Sequence, residues 1–133
     1  MEATQLVVEK RERVLICEDE TIIRLDLRQL LEGAGYEVVA EARDGEEAVE
    51  LALEYEPDLA IMDVKMPRLD GIEAARRILA ERPIPIVILT AHSHAGLVAR
   101  AVEAGVGGYV VKPFRESDLL PAIATARARH DEL

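Results

Sequence analysis

At 133 residues the chain fits one domain with one buried core; half of its residues are hydrophobic but only 3 % are aromatic, so that core must be built from Leu, Ile, Val and Ala. A net charge of −10 argues against a basic surface that binds nucleic acid directly. No stretch approaches a membrane span, residues 1–13 are too charged for a signal peptide, and the single cysteine excludes an intramolecular disulfide, so a cytoplasmic setting is expected.

Residues 1–12 are polar without a clear period and are expected to form a flexible arm. The apolar run ending Val14-Leu15-Ile16-Cys17 reads as a buried strand with an inert thiol, followed at once by Glu18-Asp19-Glu20. Over residues 21–34, Ile22, Ile23, Leu27, Leu30, Leu31 and Ala34 recur at helical spacing, and Gly33 and Gly35 supply a stop. Glu37–Ala42 is a short strand, Asp44-Gly45 a turn with a cap, and residues 46–55 a second amphipathic helix. Leu59-Ala60-Ile61-Met62 is a buried strand ending on Asp63. A helix over residues 72–81 and a strand Ile86-Val87-Ile88-Leu89 ending on Thr90 come next. An alanine-rich helix over residues 95–104, a strand over residues 109–111 running into Lys112-Pro113, and a last helix capped by Ser117 and reaching about residue 129 complete the chain.

Five strands alternating with five helices demand a parallel sheet with right-handed crossovers and helices on both faces, an α/β doubly wound domain. Its apolar runs do not alternate with polar residues, as expected for strands covered on both sides. The predicted domain spans residues 13–130, with residues 131–133 as a tail.

In such a sheet, ligands bind beyond the carboxyl ends of the strands. There the sequence puts Glu18 and Asp19, Asp63, Thr90 and Lys112. Each residue alone has an ordinary reading: a helix cap, a strand end, a solvated side chain. Their coincidence at four strand ends points to chemistry. Three carboxylates together repel one another, and a hard divalent cation such as Mg²⁺ removes that repulsion while leaving room for a phosphoryl oxygen. Asp63, in the middle of the rim, is the carboxylate best placed to form an aspartyl phosphate, with Lys112 and the Thr90 hydroxyl to neutralise and bind its oxygens.

Four segments carry a family resemblance: Val14-Leu15-Ile16-Cys17-Glu18-Asp19-Glu20, Met62-Asp63-Val64-Lys65-Met66-Pro67-Arg68-Leu69-Asp70-Gly71, Leu89-Thr90-Ala91 and Tyr109-Val110-Val111-Lys112-Pro113-Phe114. From residue 13 to about residue 129 the sequence resembles the receiver domains of two-component response regulators. The resemblance implies a flavodoxin-like fold with strand order 2-1-3-4-5 and a signalling switch rather than an enzyme. It makes Asp63 the phosphoacceptor, supplied by a sensor histidine kinase, and Glu18 and Asp19 the acidic metal pair. The backbone carbonyl of Lys65 becomes a further Mg²⁺ ligand, Thr90 and Tyr109 the switch residues, and Lys112, joined to Pro113 by a cis bond, the phosphate-binding lysine. Glu18 stands where Asp is common in the family, and its longer side chain implies a metal contact through water. Lys65 and His92 are the variable neighbours expected to tune the phosphoryl lifetime. His92 and His94 are expected to be solvated rather than metal ligands.

Phosphorylation is expected to pull on Thr90, shift the loop behind it and repack Tyr109. The output face is then the one formed by residues 95–104, residues 109–111 and the last helix, where a phosphorylation-dependent dimer also fits. The segments Glu18-Asp19-Glu20-Thr21-Ile22-Ile23-Arg24-Leu25-Asp26-Leu27 and Ser117-Asp118-Leu119-Leu120-Pro121-Ala122-Ile123 are similar to receivers fused to ANTAR-type RNA-binding antitermination modules. That output module is expected to lie outside these 133 residues, by nature or by truncation, and the alternative is a stand-alone receiver that docks on a partner protein. A flavodoxin-like carrier needs a phosphate cradle where Glu18-Asp19-Glu20 stands. A haloacid-dehalogenase-like phosphatase needs a second Asp at Lys65, and a pseudo-receiver would lack Asp63, Thr90 or Lys112.

Overall fold

The computed structural model describes residues 11–91 and 95–131. Within them the chain runs β1 (Arg13–Cys17), α1 (Thr21–Gly33), β2 (Glu37–Ala42), α2 (Gly45–Tyr55), β3 (Leu59–Asp63), α3 (Gly71–Glu81), β4 (Ile86–Thr90), α4 (Ala95–Glu103), β5 (Gly108–Val111) and α5 (Glu116–Asp131). The strands form one parallel sheet in the order β2-β1-β3-β4-β5, as the resemblance implied. β1 and β2 pair with a register shift between Val14 and Leu15.

The continuous apolar runs are explained by two cores, because successive side chains of a strand point to opposite faces. Leu15, Cys17, Ala60, Met62, Ile86 and Ile88 face one way and meet Ala48 and Ala52 of α2, Ile72, Ala75 and Ile78 of α3, and Ala101 of α4. Val14, Ile16, Leu59, Ile61, Val87 and Leu89 face the other way and meet Leu27 and Leu31 of α1 and Leu119, Ile123 and Ala126 of α5. β3 and β4 are buried along their whole length, so their last residues, Asp63 and Thr90, are delivered to the rim by fully buried central strands.

Local chemistry sets the helix starts at the rim. Asp44 caps α2 by accepting from the Glu47 N–H at 2.8 Å, and Asp70 caps α3 by accepting from the Glu73 N–H at 2.9 Å. The first residue of each helix must be glycine for want of space. A Cβ on Gly45 would lie 2.0 Å from the Leu69 carbonyl oxygen, and one on Gly71 would lie 1.9 Å from that of Asp63. These two approaches clamp the loop that follows β3.

The expected cap of the last helix is corrected. α5 begins at Glu116, so Ser117 lies within its first turn. The Arg115 carbonyl accepts from the N–H groups of Asp118 and Leu119, both at 3.0 Å, and the Asp118 carboxylate accepts the Arg115 N–H at 2.9 Å. That reciprocal pair starts the helix earlier than a Ser117 cap allows. The helix also runs on to Asp131. At the other end of the sheet, the Glu12 carbonyl accepts from the Glu37 N–H at 2.8 Å and the Glu12 side chain pairs with Arg127 of α5. His92 and His94 lie outside the described residues.

Gly71→Ala is expected to lower stability by about 1–3 kcal/mol, the cost of forcing volume into a filled site. Urea unfolding followed by circular dichroism checks it through the midpoint.

Candidate functional site

The carboxyl ends of β1, β3, β4 and β5 open onto a cleft of about 650 Å³ whose wall includes Asp19, Asp63, Lys65, Asp70, Thr90 and Lys112. Asp63 is 4 % exposed and Thr90 5 %, while Asp19 stands in solvent. Glu18 is fully buried beneath the cleft. One ligand atom from each of Glu18, Asp19 and Asp63 falls within 4.8 Å of the others. This is the coincidence at the strand ends that the sequence led us to expect, brought together from residues far apart in the chain.

Lys112 crosses the cluster. Its Nζ donates at 2.8 Å to Oδ2 of Asp63 and at 2.8 Å to Oε1 of Glu18. The other Glu18 oxygen, Oε2, accepts from the Glu20 N–H at 3.0 Å. The Lys112 backbone is fixed as well: its N–H donates to the Thr90 carbonyl at 2.7 Å, and the Lys112–Pro113 bond is cis. Burial by itself lowers the affinity of the Lys112 ammonium for its proton. The hydrogen bonds and charges of Asp63 and Glu18 outweigh it, and the group sits above its ordinary value. It therefore stays charged throughout the neutral range.

Three carboxylates against one ammonium leave this corner with a formal charge of −2. One divalent cation balances that charge, and an all-oxygen donor set beside an open cleft suits a hard ion that retains water. The residues present therefore fit Mg²⁺.

The response regulator receiver domain family matches residues 14–124. The chain belongs to this family. The receiver is 59 % identical over 121 residues to the transcriptional regulatory protein PdtaR of Mycobacterium tuberculosis, covering 91 % of this chain and 59 % of that protein. The chain thus spans well under two thirds of that relative's length. It is 38 % identical over 112 residues to chemotaxis protein CheY of Thermotoga maritima, covering 84 % of this chain and 93 % of the relative. Among solved structures, a two-component response regulator of the LuxR family from Aurantimonas matches with TM-score 0.83 and 38 % identity over 90 % of this chain and 87 % of that one. The receiver domain of NarL from M. tuberculosis matches with TM-score 0.84 and 27 % identity over 90 % and 98 % of the two chains.

Lys65, on the cleft wall, is exposed in the loop after β3, and Tyr109, away from the cleft, is 43 % exposed on β5. Among the described residues no helix is long and apolar enough to cross a membrane. No separate role for Asp70 was legible in the sequence. It lines the cleft, caps α3 and accepts from Nη2 of Arg100 on α4 at 3.2 Å. The pattern of an Asp followed three residues later by Glu73 was the available signal for the cap; the pairing with Arg100 had none.

Beneath the rim, Cys17 is fully buried. Its thiol is pushed up from the usual 9.0, chiefly by burial and then by the charges of Asp44, Asp63, Glu18 and Glu47. Only the thiolate reacts, so native Cys17 is expected to resist iodoacetamide at pH 8 and to be alkylated once urea unfolds the chain. Because burial penalises the thiolate, Cys17 lowers the stability of the fold as the pH rises above 9.0 and leaves it unaffected well below that. Intact mass after timed alkylation checks the first statement.

Proposed function

We propose that this receiver takes a phosphoryl group from the phosphohistidine of a sensor histidine kinase onto Asp63, with Mg²⁺ bound beside it, and thereby switches an output. The observation that carries the reading is Lys112 Nζ at 2.8 Å from both Asp63 and Glu18, at the edge of a cleft that also takes in Thr90. Oδ1 or Oδ2 of Asp63 attacks phosphorus, a P–O bond forms, the P–N bond to the donor imidazole breaks, and the imidazole keeps the electron pair and takes up a proton. Asp19, Asp63 and the Lys65 carbonyl would hold the ion, with Glu18 contributing through water. When bound, the ion neutralises charge on the phosphoryl oxygens. Lys112 then exchanges a carboxylate partner for a phosphoryl oxygen, and the Thr90 hydroxyl donates to another.

The output face of this reading is α4, β5 and α5. α4 has one fully packed residue in the core, Ala101, and exposes Val102, while Tyr109 and Val111 are exposed beside it on β5. A helix held so lightly suits a two-state element. We assign the chain to the cytoplasm, with residues 13–130 as the receiver; the expected arm and tail fall mostly outside the described residues, and Glu12 and Asp131, at their inner ends, belong to the fold.

For the output itself, transcription antitermination through an ANTAR-type RNA-binding module is the reading favoured by the PdtaR match, because that transcriptional regulator is longer than the matched receiver. RNA contact then falls to the added module, since the chain carries a charge of −10. A stand-alone receiver that docks on a partner is favoured instead by the CheY match, which fills 93 % of that relative.

Incubation with Mg²⁺ and acetyl phosphate is expected to add one phosphoryl group to the wild-type mass. The adduct should need Mg²⁺ and vanish in Asp63→Asn. A folded wild type with no adduct would reduce the site to a scaffold.

A further inference from the structure

The two acids at the end of β1 stand on a loop, and the structure contains a strap that fixes it. Arg24 of α1 is largely buried, with 14 % of its side chain exposed. Its Nη1 donates to the backbone carbonyl of Glu18 at 2.7 Å, and its Nε donates to Oε1 of Glu41, on β2, at 3.2 Å. That carbonyl belongs to the peptide joining Glu18 to Asp19. On the preceding side, the Glu18 N–H donates to the Ala42 carbonyl at 3.0 Å, and the Arg24 N–H donates to the Glu20 carbonyl at 2.9 Å. Glu41 is itself gripped by Arg28, which also reaches Glu32 at 3.1 Å.

Arg24 therefore spans α1, the end of β1 and β2 with one rigid side chain. A guanidinium is a planar fork whose donors point in fixed directions. One tine here is spent on the peptide between the two acids and the other on an anchor outside the site. Much of its charge is answered by Glu41, so its influence on the cluster is geometric. Asp19 is exposed on the cleft wall, and the attitude of its backbone depends on the plane of the peptide before it. Groups that orient ligands commonly matter to metal affinity nearly as much as the ligands.

We propose that Arg24, backed by Glu41, is a positioning residue that fixes the Glu18–Asp19 peptide so that the Asp19 carboxylate is presented to Mg²⁺. This rests on the proposed metal site and deepens it.

The test is calorimetric titration of the full chain with MgCl₂, alongside circular dichroism to establish folding. Arg24→Met is expected to weaken Mg²⁺ binding about tenfold or more while the fold is retained. Arg24→Lys, which keeps the charge but cannot span both partners, is expected to recover only part of the loss. A folded Arg24→Met that binds Mg²⁺ within about twofold of wild type overturns the proposal. Full recovery by Arg24→Lys also overturns it, because charge alone then suffices. If Arg24→Met fails to fold, Glu41→Ala carries the test, with Arg28→Met as the control for the other partner of Glu41: weakened binding in Glu41→Ala beyond that in Arg28→Met supports the strap, and binding no weaker than in that control overturns it. Absence of Mg²⁺ binding in wild type would instead refute the metal site itself, and the strap with it.

Discussion

Everything at the rim turns on one ammonium held between two carboxylates. Lys112 reaches Glu18 across 94 positions of sequence and Asp63 across 49, and the assembled parallel sheet brings those three together. The two cores make β3 rigid, the glycine contacts at α2 and α3 lock the loop after it, and the Lys112 N–H on the Thr90 carbonyl fixes β5 against β4. Each feature has a structural purpose taken alone. Together they hold a charged side chain where its solvation is poor and its partners are close.

Such an arrangement is a weak source of stability. Desolvating charged groups costs several kcal/mol per ion, and their attraction repays that only with good geometry. A cluster with a surplus of negative charge is still less favourable, because Asp19 adds repulsion that Lys112 does not cancel. Sites of this kind persist for chemistry rather than for folding. In the proposed function the surplus would recruit a divalent cation, and the ammonium would move from a carboxylate to an incoming phosphoryl group. Burial first, and the same negative charges second, push the Cys17 thiol upward below the rim.

Much of this was legible in the sequence because the signals are local. The apolar runs at residues 14–17, 59–62 and 86–89 mark the central strands, Asp44 and Gly45 mark a capped helix start, and the polar residues ending each run mark the rim. What the sequence hid depends on contacts between distant segments. The early start of α5 comes from a reciprocal bond between Arg115 and Asp118 that outcompetes a serine cap. The burial of Glu18, the reach of Arg24 to Glu41 and the pairing of Arg100 with Asp70 require the packing of α1 and α4, which no spacing rule encodes. Family resemblance carried the assignments of Tyr109 and the Lys65 carbonyl, whose roles local chemistry does not reveal.

The central claim is that the acidic cluster is completed by a divalent cation, so the most direct measurement is thermal unfolding with and without Mg²⁺. Saturating Mg²⁺ at about a hundred times its dissociation constant stabilises a folded site by about 2.7 kcal/mol, which raises Tm by roughly 5 °C or more in a domain of this size. The wild type should show that rise and Asp19→Asn should lose most of it. A wild type indifferent to Mg²⁺, or a rise of equal size in Asp19→Asn, would contradict the account.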